Sequence, residues 1–393
     1  MPRLFIGNYD FEHLLADPDF TLPEHLQYFM AHNSVSWIAI ATADDAIWLP
    51  LHIDEQIFAS LAKSGFATPA TVYNISNLSQ ADNWELSPWG WTSRTIAAQQ
   101  RLNPRQQVPD LDVVRQVNSR SFAYAAETKR NLLPVGAARI ASWQDLEQQI
   151  NQFAVPEQRW VIKSDFGMAA RERLLGRGNN IPVQQKNWIQ KKLRSEGVMF
   201  FEPWLHKITE VGLQFQVPAL GKPVLRGVLP LLTDENGLYR GSRIGPETLE
   251  TAASEWTEAI TLCSEIAQEI QQLGYFGPLG FDVMQYRDQH GEIKIRFLQD
   301  INARWTMGRL TLGLCRLLKP HEYASWLHLP MDIATVSLQL AQFEPDSITA
   351  ICTSPTQIAG QSITQSSWLL IAERETVLHQ AENRLIALET GIL

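Results

Sequence analysis

The stretch FLQDINARWTMGRL, residues 297–310, closes an apolar run in a carboxylate, an amide and a guanidinium: Asp300, Asn302 and Arg304. Side chains alternate faces along an extended chain, so three polar groups spaced two apart emerge on one side. Just upstream, the strand-like run FDVMQY carries Asp282, and the polar segment RDQHG between the two runs reads as a hairpin turn. With an odd-numbered loop or a bulge, Asp282 joins the same face and becomes a diagonal neighbour of Asp300, about 7 Å away at Cα. Two carboxylates and an amide oxygen are hard ligands. They suit Mg²⁺, which usually keeps water and takes substrate phosphate oxygens as its other ligands. The plainer reading is a polar strand end with unrelated surface acids.

Two further groups could join that chemistry. Lys163 ends an apolar run, WVIK, just before a segment containing Gly167, Gly176 and Gly178. A cation at a strand end beside glycine-bearing backbone can hold phosphate through its charge and through free N–H groups, although a solvated lysine is the commoner outcome. The glycines are too spread for a Walker loop. In FFEPWLHKITEVGLQF, Glu202 follows an apolar run and Glu210 opens another. Extended backbone there can meet an adenine edge, and a carboxylate can accept from ribose hydroxyls.

These residues need elements to position them. A chain of 393 residues has room for two or three domains, and 45% hydrophobic with 19% charged residues reads as a soluble globular protein. The net charge of −9 argues against nucleic acid or an anionic membrane as partner. Cys263, Cys315 and Cys352 are odd in number and far apart, which signals neither a disulfide framework nor a zinc knuckle. No secretory leader and no run of about 18 apolar residues stands out, so the expected address is the cytoplasm.

Residues 1–117 open with two strand candidates, RLFIG and SWIAIA, alternating with helical stretches such as DEQIFASLAKSG, which stops on Gly65. That pattern predicts a small α/β domain. Its tail, NWELSPWGWTSRT, reads as a packed loop, with a substrate-facing loop as the sharper alternative. Helices are predicted from Ser119 and from a Ser142 cap, then the strand RWVIKS, a basic helix VQQKNWIQKKLRSEG, and strands VMFFEPWL and EVGLQFQVPAL. Apolar residues at Leu249, Ala252, Trp256, Ile260, Cys263, Ile266, Ile270 and Leu273 predict a helix closed by Gly274, with Cys263 as core. Residues 320–393 hold a strand, SSWLLIAE, and a charged last helix.

Taken in order, Lys163, Glu202, Glu210, GFDVM (280–284) and DINAR (300–304) resemble the ATP-grasp superfamily over residues 118–316. The resemblance implies an α/β (α+β ATP-grasp) fold class: an N-terminal α/β pre-ATP-grasp-like domain (1–117), an ATP-grasp domain (118–319, small lobe 118–200, large lobe 201–319) and a C-terminal extension (320–393). It implies ATP and two Mg²⁺, with Asp282, Asp300 and Asn302 as metal ligands and Lys163 and Arg120 on the phosphates. EPWL, with Glu202 and Leu205, would grip adenine and Glu210 the ribose. Arg304 would orient the acceptor, helped by Arg171, Arg173, Arg177, Arg240 and Arg243, and residues 167–178 would form a flap. Arg120 stands where relatives carry a lysine, and Asp300 where Glu is common. The implied activity is an ATP-dependent ligase that activates a small-molecule carboxylate as an acyl phosphate and joins it to an amine, in a chain free to form a homo-oligomer. A small-molecule kinase of the same superfamily and a non-catalytic nucleotide-binding module are the alternatives.

Overall fold

The computed structural model describes residues 1–153, 158–167, 172–246, 254–344 and 347–389. Arg3–Ile6 is one of the two inner strands of a four-stranded parallel sheet, in the order Ala70–Val72, Ala46–Trp48, Arg3–Ile6, Glu85–Pro88. Leu4, Phe5 and Ile6 are all buried, the near-continuous apolar run expected of a parallel strand covered on both faces. The helix Gln56–Lys63 ends as expected, with Gly65 at φ +85°.

Two local expectations need correction. The SWIAIA run is not a strand: Val35–Ala39 is a buried 3₁₀ turn that continues directly from the helix Glu24–Ser34. A short, wholly apolar run has no periodicity to separate strand from helix, and no breaker precedes this one. The tail read as a loop contains the strand Glu85–Pro88. It lies on the sheet edge, the position where Pro88 can lack an N–H without breaking a ladder.

A second, antiparallel sheet runs Ala138–Ile140, Met199–Pro203, Arg159–Ser164, Arg173–Arg177. The last strand falls inside the segment read as a flap, whose residues 168–171, Arg171 included, lie outside the described residues. Two helices pack on this sheet, Trp143–Phe153 through Leu146 and Ile150 and Val183–Glu196 through Ile189, against Trp160, Ile162 and Phe201. Ser142 Oγ accepts from Asp145 N at 3.1 Å, the predicted cap.

The third sheet has eight antiparallel strands in the order Ile293–Asn302, Gly277–Arg287, His206–Val217, Val224–Thr233, Tyr239–Ile244, Tyr323–Leu329, Ser366–Ala372, Thr349–Cys352. Residues beyond 320 therefore extend the same sheet that carries the hairpin. The helix Thr257–Gln272 packs on it through Cys263, Ile266 and Ile270, all fully buried. Burial pushes the Cys263 thiol far up, as befits a core position. Leu249 and Ala252 lie outside the described residues. The helix Glu375–Glu389 covers the far strands through Leu378, Ala381 and Leu385. Among the described residues no helix is long and apolar enough to cross a membrane.

Candidate functional site

The hairpin Gly277–Arg287 and Ile293–Asn302 brings the predicted row together in a tighter register than expected. Asp282 faces Asp300 directly across the ladder, and Gly280 faces Asn302. A bulge does intervene, but it falls between Asp282 and Met284, past the acid pair, so the two acids are opposed and not diagonal. Asn302 Nδ2 donates to Asp282 Oδ2 at 3.3 Å. A Cβ on Gly280 would come within 2.7 Å of the Thr306 side chain, so glycine there lets Thr306 close over the strand end. Burial, then the charges of Asp300 and Glu210, push the Asp282 carboxyl up to about 7. Two opposed carboxylates are hard oxygen donors of the kind a divalent cation takes.

Arg120 answers part of that charge. The helix Arg120–Lys129 starts with Ser119 Oγ accepting from Phe122 N at 3.2 Å, which fixes where its first turn points. Arg120 then donates to Asp300 Oδ1 at 3.3 Å, while its Nε is buried with no partner among the described residues. The turn is docked on the end of the Lys163 strand: Arg120 N donates to Asp165 O at 2.9 Å and Ser121 N to Asp165 Oδ1 at 2.8 Å. Asn118 Oδ1 accepts from Ala303 N at 2.9 Å, holding the backbone between Asn302 and Arg304. A small polar cavity is lined by Asp300, Asn302, Arg120, Asn118, Asp165 and Glu12.

Lys163 sits in a buried ion cluster. Its Nζ lies 2.7 Å from Glu202 Oε2, and Arg296 grips the same carboxylate at 2.6 and 2.9 Å. Glu127 lies 3.4 Å from Arg296. Burial alone would raise the Glu202 carboxyl; Arg296 and Lys163 outweigh it and hold that carboxyl well below the usual range. The Glu202 carboxylate is thus already committed. Leu205, three residues on, is half-buried, and its carbonyl accepts from Lys207 N at 3.0 Å. Glu210 is also buried, accepting from Lys207 at 3.0 Å, Thr233 at 2.8 Å and Gln299 at 2.8 Å.

Arg304 is anchored on the N-terminal residues. Its Nε donates to Glu12 Oε1 at 2.6 Å and its guanidinium lies 5.2 Å from the Trp89 ring centre, so the N-terminal sheet region supplies both its counter-charge and its platform. Of the other arginines, Arg173 donates to Asn236 O and faces Trp204, Arg177 is exposed, and Arg240 pairs with Asp234 at 3.2 Å. Arg243 is held by Glu382 of the last helix at 2.8 Å.

No family model and no curated protein matches this chain. Its backbone, however, matches solved structures over nearly its whole length. An N5-carboxyaminoimidazole ribonucleotide synthetase in complex with ADP superposes at TM-score 0.55 with 12% identity, covering 92% of this chain and 96% of its own. The N5-carboxyaminoimidazole ribonucleotide synthetase of Thermus thermophilus gives 0.54 and 12%, covering 98% and 97%. The biotin carboxylase domain dimer of the Hydrogenobacter thermophilus 2-oxoglutarate carboxylase, solved with MgADP, ADP and bicarbonate, gives 0.54 and 10%, covering 94% and 86%.

The chain has the ATP-grasp fold.

Within that ATP-grasp frame, four residues of the site escaped the sequence reading. Arg296 and Glu127 complete the cluster around Lys163, Asn118 pins residue 303, and Glu12 meets Arg304. Only Asn118, two residues before Arg120 in VNSR, had a local signal. Glu12 and Glu127 sit on helices whose sequences look like ordinary solvated acids, and each is identified only by a partner far along the chain.

Proposed function

We propose that this protein is an ATP-dependent ligase that activates a small-molecule carboxylate as an acyl phosphate and joins it to an amine. The observation that carries the reading is Asp300 directly opposed to Asp282, with Asn302 hydrogen-bonded to Asp282 and with Asp300 and Asn302 lining a cavity that also gathers Arg120. The ADP-bound synthetase and the carboxylase domain holding MgADP and bicarbonate support a nucleotide and a small carboxylate-like substrate in this fold.

Two acids and an amide oxygen fit Mg²⁺. They are a partial set, the arrangement Mg²⁺ favours when substrate phosphates complete its shell. Asp282, Asp300 and Asn302 would hold the ions. When bound, Mg²⁺ neutralises phosphate charge. Lys163 and Arg120 supply point charges for the ATP phosphates, and Glu202 with Arg296 fixes where the lysine can reach. The backbone of residues 202–205 would meet the base and Glu210 the ribose. Arg304, set by Glu12 and Trp89, would orient the acceptor at the row's end. The carboxylate oxygen takes the γ-phosphoryl group and ADP leaves; the amine then attacks the acyl carbon and phosphate departs. This needs positioning and charge compensation more than a reactive side chain. Three free cysteines fit a reducing compartment, so we place the reaction in the cytoplasm.

The test is mass spectrometry of products after incubation with ATP, Mg²⁺ and a metabolite extract. A product containing acid and amine minus water, formed with ADP and phosphate, is expected. A phosphorylated metabolite with no second substrate would establish a kinase instead, and nucleotide binding without any turnover a module.

A further inference from the structure

Asn302, Gly280, Gln214 and Gly227 stand in one line across four strands of the eight-stranded sheet. At the far end of that line the ladder is irregular. Leu225 pairs with Phe215 and Gly227 with Gln214, which leaves Arg226 as the extra residue of a bulge. Arg226 is exposed there. Gln214, inside the line, holds the helix Met307–Gly313 over the face that carries Asp282. Its Oε1 accepts from Thr306 Oγ1 at 2.6 Å, and a Cβ on Gly308 would come within 2.9 Å of its Nε2. The next residue is Arg309, whose backbone N–H donates to Thr306 Oγ1 at 3.0 Å. Its guanidinium lies 5.9 Å from the ring centre of Trp305. That ring is fixed in turn: Trp305 N donates to Trp89 O at 3.0 Å, and Trp37 meets the indole edge-on.

Arg226 and Arg309 differ from the other arginines of this region. Arg120, Arg240, Arg296 and Arg304 each meet an acid. Among the described residues no carboxylate pairs with the guanidinium of Arg226 or Arg309, and neither side chain donates a hydrogen bond. Burial, then the charge of Arg226, push the Arg309 guanidinium down to about 10, so it is still charged near pH 7. Two like charges, one of them half-buried, oppose each other until an anion lies between them.

We propose that Arg226 and Arg309 form an anion site, and that the substrates joined at the metal row carry an anionic group, a carboxylate or a phosphate, besides the carboxyl that reacts. The planar fork of a guanidinium matches either group bidentately. From Asn302 to Gly227 the line crosses three strand spacings, about 14 Å between backbones. The second anion therefore sits several bonds from the reacting carboxyl and not on the neighbouring carbon. The substrate class rests on the ligase reading; the anion site does not.

The full chain, labelled with ¹⁵N-arginine and free of nucleotide, is titrated with inorganic phosphate and with glutarate, and with glutaramide as the uncharged control. Loss of one Nε–Hε signal in Arg226→Met and of another in Arg309→Met assigns the pair. Arg226 is exposed, so its variant should keep the fold. Phosphate or glutarate should move both signals saturably, the tighter of the two naming the group, and each variant should weaken that binding at least tenfold. Glutaramide should move neither. No saturable change with either anion overturns the site, as does binding that both variants leave unchanged or that glutaramide equals. In product assays with a metabolite extract, the ligation product should retain an anionic group, and Arg309→Met should raise the KM for the substrate that carries it at least tenfold while kcat changes less. A product with no further anionic group overturns the substrate class and leaves the ligase reading standing. Anion binding at the pair in a protein that makes no ligation product supports the site and counts against the ligase reading alone.

Discussion

Arg304 and Glu12 meet at 2.6 Å across 292 positions of sequence, and through them the last residue of the polar row is clamped to the first helix of the chain. Both side chains are nearly buried, 12% and 8% exposed, and the other Glu12 oxygen has no partner among the described residues. Removing one partner of such a pair strands a buried charge, which costs more than the pair's net worth.

Glu12→Gln should therefore lower stability by roughly 1–3 kcal/mol in urea unfolding, since Arg304 keeps a shape-matched neighbour but loses its counter-charge. A double-mutant cycle with Arg304→Met should show coupling of about 1 kcal/mol or more. Additive effects would mean that the two residues act independently.

The cluster around Glu202 makes a different demand. In Lys163→Met, Arg296 still holds Glu202 through two hydrogen bonds, so the fold should persist. Loss of one charge-assisted phosphate contact should weaken ATP binding by roughly 1.5–3 kcal/mol. Glu202→Gln should weaken it less, since it loosens the lysine without removing it. Titration calorimetry on folded variants separates the two, and unchanged ATP affinity in Lys163→Met would remove the lysine from the site.

What could be read from sequence follows from how local each signal was. The hairpin, the helix caps at Ser119 and Ser142 and the Gly65 stop each rest on a few adjacent residues, and each is in the structure. The register of Asp282 against Asp300 depended on where one bulge fell, which no local pattern sets. The SWIAIA run was ambiguous because a buried 3₁₀ turn and a buried strand ask for the same apolar residues. Glu12 and Arg296 could not be found at all from sequence, because what marks them is a partner supplied by tertiary folding.

Two buried histidines should give the protein an acid limb. Burial lowers His32 to about 4 and His328 to about 3, against about 6.5 in an unfolded chain. Their neighbours are the hydroxyls of Ser354 and Ser367 and the rings of Tyr239 and Trp326; no carboxylate is hydrogen-bonded to either ring among the described residues. The unfolded chain binds these protons first. The neutral-ring contribution is thus fully present above pH 6.5 and is lost as pH falls through the folded values. For His32 the shift corresponds to about 3 kcal/mol. Unfolding free energy should drop between pH 6.5 and 4, and His328→Phe should flatten that slope. A variant whose pH profile parallels the parent's would show that this ring titrates normally.

The opposed acids permit the sharpest test of the row. Asp282→Asn and Asp300→Asn each keep side-chain shape while deleting one of two charges that face each other across the ladder. Without metal, Asp282→Asn should be as stable as the parent or more so, because burial and its acidic neighbours already raise its carboxyl, while Asp300→Asn should be less stabilising because it also takes the counter-charge from Arg120. With Mg·ATP, both should lose most of the ligand-induced rise in melting temperature, which reports binding to the folded state alone. Asn302→Leu should lose it too, since it deletes the neutral oxygen, and should also free Asp282 from its hydrogen bond. A polar strand end with no metal role predicts the reverse pattern: small changes in the apo protein and an intact Mg·ATP shift. Differential scanning fluorimetry with Mg²⁺ alone, ATP alone and both together separates the outcomes. An Asp300→Asn protein that gains full stability from Mg·ATP would take Asp300 out of the ligand set.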